Sequence, residues 1–112
     1  MTAYAIAHLH NPNPASPDVG EYLRRIQGTL DPYGGRFVVH GGNVEVVEGE
    51  WPGAVVVIEF PDRDRARGWY NSEAYQAILP LRTRNIDGDA IFADGVPDGY
   101  DPSVKAARHL PA

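Results

Sequence analysis

Val55-Val56-Val57-Ile58, a run of β-branched residues inside Ala54–Phe60, is the strongest strand signal in the chain. One strand cannot be stable alone, and the nearest candidate partner is Arg36–His40. Pairing the two as a hairpin sets Arg36 opposite Glu59, Val38 opposite Val57 and His40 opposite Val55. Phe37, Val39, Val56, Ile58 and Phe60 then share one wholly apolar face, which is expected to be the core face. Arg36, Glu59 and His40 are expected on the other side.

Two more strands and two helical regions follow from the same reading. Ala3–Leu9 alternates, with Tyr4, Ile6, His8 and His10 on one face and Ala5, Ala7 and Leu9 on the other. Ser16-Pro17-Asp18 supplies a cap, an N-terminal proline and an early acid, so a helix starts at Pro17 and presents Val19, Tyr22, Leu23, Ile26 and Leu30 at helical spacing. Asp31-Pro32 ends it. Between the hairpin strands, Val44–Glu48 reads as a short arm of alternating residues between glycine turns. A second helical region, capped by Asp62, carries Ala66, Trp69 and Tyr70, restarts at Ser72 and is bent or ended by Pro80. The last strand is Ala90–Asp94, with Phe92 and Asp94 expected on the side of Arg36.

The order is β-α-β-β-α-β, which gives an α+β ferredoxin-like fold: a four-stranded antiparallel sheet in order 4-1-3-2 with both helices on one face. Residues 1–95 form this domain and residues 96–112 a tail. Asp101-Pro102 is placed to cap a short helix over Ser103–Arg108, whose Val104 and Ala107, with Leu110 beyond it, are expected to dock on a partner subunit or the cleft mouth. The helix-free sheet face must be polar or covered, and a second copy of the chain is the simplest cover. Tyr4, Ile6, His8, Arg36, His40 and Glu59 make that face an apolar floor with ionisable groups, so a pocket is expected there.

Composition narrows the partners. Fifteen acidic against ten basic residues give a formal net charge of -5, with the basic residues scattered, which argues against nucleic acid and anionic membranes. There is no cysteine, hence no disulfide or thiolate metal site. No apolar stretch approaches a membrane span, and the N-terminal residues lack the pattern of a secretory signal, so a cytoplasmic protein is expected.

Gly34-Gly35-Arg36-Phe37-Val38-Val39-His40-Gly41-Gly42, then Val44-Glu45-Val46-Val47-Glu48-Gly49-Glu50-Trp51, Val57-Ile58-Glu59-Phe60-Pro61 and Trp69-Tyr70-Asn71-Ser72-Glu73-Ala74-Tyr75-Gln76, resemble the family known as domain of unknown function 1330. The resemblance runs from Tyr4 to Gly95. It implies a dimeric α/β barrel, in which two sheets pack open face to open face, a superfamily that includes cofactor-independent monooxygenases and muconolactone isomerase. His40 departs from the family pattern, where arginine is frequent.

Each candidate residue has a sharp and a plain reading. His40 and Glu59 are the candidate catalytic groups, His40 as a general base, with the alternative of a dimer contact. Tyr4, His8, Arg36, Trp69 and Tyr70 are the candidate substrate-binding residues. Arg36 and Glu59 serve equally well as a cross-strand ion pair, and packing accounts for Trp69, Tyr70 and Tyr75. His8, His10 and His40 can be drawn as a three-histidine metal site, but no carboxylate stands at ligand spacing, and neither metal nor cofactor is expected. The expected function is a homodimer binding a small organic molecule, with cofactor-free oxygenation or isomerisation implied by the resemblance. The alternative is a noncatalytic dimeric binding or interaction module.

Overall fold

The hairpin forms where the β-branched run places it. In the computed structural model, which describes residues 1–108, the elements are β1 (Ala3–His10), α1 (Asp18–Leu30), a 3-10 turn (Asp31–Tyr33), β2 (Arg36–Gly41), β3 (Ala54–Phe60), α2 (Arg63–Tyr70), α3 (Glu73–Thr83), β4 (Asp87–Asp94) and α4 (Ser103–Arg108). All strand pairs are antiparallel, in the order β2-β3-β1-β4, the ferredoxin-like arrangement. Asp62 caps α2, its Oδ1 accepting the Arg65 N–H at 2.8 Å, and Ser72 caps α3, its Oγ accepting the Tyr75 N–H at 3.2 Å. Both caps satisfy amides that a new helix leaves without intrahelical partners.

The core lies between the sheet and the helices. Leu30, Phe60, Trp69, Tyr75 and Ile78 are buried there, with Tyr22, Ile26 and Ile58 beside them. Helix α2 is the one whose backbone approaches the sheet closely, whereas α1 and α3 lie mainly against each other.

Four expectations are corrected. Arg36 does oppose Glu59, but a β-bulge between Phe37 and Val39 shifts everything after it: Val39 opposes Val57 and His40 opposes Val56. One inserted residue reverses the face of those that follow, so His40 joins Phe37 on the helix side, its ring stacked on Phe37 at 4.5 Å. On β4, Phe92 pairs with Ala5 and Asp94 with Ala3, which puts both on the helix side too. There Phe92 meets Tyr70 edge to face, and Asp94 accepts a hydrogen bond from Arg63 at 3.0 Å. The connection 42–53 holds no strand, and its Val47 is 86% exposed, so the arm expected at Val44–Glu48 is an irregular loop. Gly53 closes that loop at φ +98°, where an added Cβ would collide with the Leu9 carbonyl oxygen. Finally, Pro80 does not end the second helical region, because α3 continues through it to Thr83.

The helix expected in the tail is α4. Val104 on it is 47% exposed, while Leu110 and the Ala107 side chain lie outside the described residues.

Candidate functional site

Strand alternation turns Ala5 and Ala7 of β1, Ala54 of β3 and Ala90 of β4 toward the helices. These methyl groups form a low floor, bordered by Phe37, Ile58 and Phe92, which stand level with Ala5 and also line the space, while Phe60 is buried beyond them opposite Ala3. Because α1 and α3 pack on each other above that floor, the space is not filled. The result is a cavity of about 570 Å³ between sheet and helices, walled by Val19, Leu23 and Ile26 of α1 and by Trp69 and Tyr70 of α2. Its lining is predominantly apolar. A space of this size accommodates a small organic molecule.

A polar group stands in the helical wall. The hydroxyls of Tyr22 (α1) and Tyr75 (α3) are hydrogen-bonded at 2.7 Å, and the half-buried Arg82 guanidinium lies 5.9 Å from the Tyr22 ring centre. Burial, reinforced by the neighbouring Tyr75, pushes the Tyr22 hydroxyl pKa far above the ordinary phenol value and outweighs the opposing effect of Arg82. Burial acts to lower the Arg82 pKa, but the two phenols more than offset it, so the guanidinium is held charged. Nearby, the Trp69 Nε1–H donates to Thr29 Oγ1 at 3.0 Å, and that hydroxyl donates to the Ile26 carbonyl at 2.7 Å. This chain satisfies the indole polar atom within the packed wall. His40, exposed, stands at the rim with Pro12 and Gly42.

The expected site residues divide between two faces. His40, Trp69 and Tyr70 line the cavity, whereas Tyr4, His8, Arg36 and Glu59 do not. The pocket expected on the open face is therefore corrected: the large cavity is on the helix side, because the bulge and the alanine floor are there. Arg36 and Glu59 do meet on the open face, at 2.8 Å, with side chains 69% and 29% exposed. An ion pair so exposed contributes about 0.2–1 kcal/mol. The two candidate catalytic groups, His40 and Glu59, lie on opposite sides of the sheet. His8 is engaged on the open face, its Nε2 against the Pro52 carbonyl and its ring 4.5 Å from that of Trp51. His10 is beside it at 5.3 Å, but His40 is on the far side, so the three histidines do not converge. Among the described residues no group of three or more His, Asp or Glu is arranged to hold a metal ion.

Arg82, and Tyr22 and Tyr75 as more than packing, were not singled out by sequence reasoning. Arg82 stands seven residues after Tyr75 and four after Ile78. That spacing puts it on the same helix face, a signal hidden by the expectation that Pro80 bends or ends the helix.

No helix among the described residues is long and apolar enough to cross a membrane. Several solved structures share the fold at low sequence identity. A protein of unknown function from Rhodopseudomonas palustris is 16% identical, with a TM-score of 0.68 over 86% of this chain and 83% of its own. A dimeric ferredoxin-like protein of unknown function from Thermobifida fusca is 17% identical, with a TM-score of 0.57 over 84% and 91%. SnoaB, a cofactor-independent oxygenase from Streptomyces nogalater, is 14% identical, with a TM-score of 0.55 over 89% and 96%. No curated protein matches the chain in sequence. The model of the domain of unknown function DUF1330 matches residues 2–96, which is nearly the whole chain, and the protein belongs to that family.

Proposed function

We propose that the protein binds a small organic molecule in the cavity between its sheet and helices, and that it does so as a homodimer joined through the open sheet faces. The observation that carries the binding is the cavity itself, about 570 Å³ of apolar space with one polar group in its wall. Interiors are normally packed nearly as tightly as organic crystals, so a void this large is a feature that needs an occupant. Ile6, Val57 and Ile91 supply the apolar open face, Ile91 being 57% exposed in the single chain. The dimeric protein from Thermobifida fusca supports the assembly. SnoaB supports cofactor-free chemistry by analogy of fold alone, with His40 at the rim as the base that such chemistry would use.

Ala7→Leu places a larger side chain on the cavity floor and tests the reading directly. Small carboxylic acids, lactones and phenols that raise the unfolding temperature of the native protein should lose that effect on the variant. Compounds that stabilise Ala7→Leu as much as the native protein would show that they bind elsewhere. If Ala7→Leu does not fold, Ala90→Leu fills the same floor from β4.

A further inference from the structure

Arg82 is what a purely apolar occupant of the cavity leaves unexplained. Arg24, Arg36, Arg63, Arg65 and Arg67 each have a carboxylate partner. Arg25 and Arg84 have none among the described residues but are exposed to water. Arg82 alone combines partial burial, a place in the cavity lining and the lack of a carboxylate among the described residues. A charge withdrawn from water without a counter-charge is unfavourable, and an arriving anion relieves it.

The groups around Arg82 do not supply that anion. Tyr22 stays protonated, since burial opposes its ionisation. Its hydroxyl and that of Tyr75 share one hydrogen in their 2.7 Å contact, whichever of them donates. The hydroxyl that accepts still carries its own hydrogen, and no acceptor for it is found among the described residues. The polar end of the cavity thus offers a guanidinium fork and a phenolic hydrogen, all donors. The alanine floor and the wall of Val19, Leu23 and Ile26 are hydrocarbon, with His10 and His40 at the edge of the lining.

We infer that the occupant is an organic carboxylate with a compact apolar body, its carboxylate held by Arg82 and the free phenolic hydrogen of the Tyr22–Tyr75 pair, its body lying over Ala5, Ala7, Ala54 and Ala90. This identity rests on the cavity reading above and adds the charge and the orientation of the ligand. A planar guanidinium suits a carboxylate because two parallel hydrogen bonds form at once.

The test compares 2-naphthoate with 2-naphthamide, which share a body and differ in charge, by calorimetric titration of the full chain at neutral pH. The native protein should prefer the acid by about tenfold or more, the worth of a charge-assisted hydrogen bond. Arg82→Met should weaken naphthoate by about ten- to a hundredfold and leave naphthamide within about twofold, with Tyr22→Phe giving a smaller loss of the same kind. Equal affinity of the two probes for the native protein would overturn the carboxylate inference while leaving the cavity reading standing. Binding of neither probe, or naphthoate binding that survives both Arg82→Met and Ala7→Leu, would overturn both. If Arg82→Met fails to fold, the comparison of the two probes on the native protein decides alone.

Discussion

Tyr22 is a phenol set in an apolar wall, and its surroundings determine how the protein responds to base. Its raised pKa means that the native state keeps the hydroxyl proton at a pH where an unfolded chain, whose tyrosines ionise near about pH 10, gives it up. Above that pH the unfolded state binds fewer protons than the native one, so stability falls as pH rises; below it the contribution is fully present. Denaturant unfolding between neutrality and about pH 11 should therefore show a declining limb beginning near about pH 10. Tyr22→Phe should cost about 1 kcal/mol at neutral pH through the lost hydrogen bond to Tyr75 and should make the alkaline decline shallower. An unchanged alkaline slope in the variant would assign the decline to other groups. The alanines of the floor act at the same scale in the opposite sense, since what matters about Ala7 is the volume that it leaves empty.

Two elements behave otherwise than their local sequence suggests, and both shape the cavity. The bulge in β2 carries His40 from the open face to the rim, where it stacks on Phe37. Pro80 sits inside α3, where it lacks the N–H that would bond to the Gln76 carbonyl, yet the helix continues far enough to bring Arg82 onto the face of Tyr75 and Ile78. Packing of the final turn offsets the missing bond. Pro80→Ala restores the donor and removes the ring, and should stabilise the protein by up to about 3 kcal/mol, the interior-helix difference between the two residues. Urea unfolding measures it. A variant no more stable than the native protein would mean that the surrounding packing is already fitted to the proline ring.

At the scale of the whole molecule the sheet has two unlike sides, one under the helices with the cavity and one facing outward with Ile6, Val57, Ile91 and the Arg36–Glu59 pair. In the proposed dimer the outward side is covered by a second copy. Ile91, on the edge strand and already 57% exposed, can be changed without entering the core. Ile91→Asp should shift sedimentation at micromolar concentration from dimer toward monomer while leaving the circular dichroism spectrum intact. A native protein that sediments as a stable monomer would remove the dimer from the proposal. Much of this organisation is legible in the sequence because it depends on neighbours along the chain: the β-branched run makes β3, Asp62 and Ser72 start the helices, and alternation pairs Arg36 with Glu59. Tertiary structure decided the rest. The face of His40 depends on an extra residue accommodated only when β2 meets β3, the length of α3 on packing that outweighs a missing hydrogen bond, and the cavity on four small residues from three strands lying beneath helices that lean on each other. None of these is a property of a single segment, and each exists only once distant parts of the chain are held together.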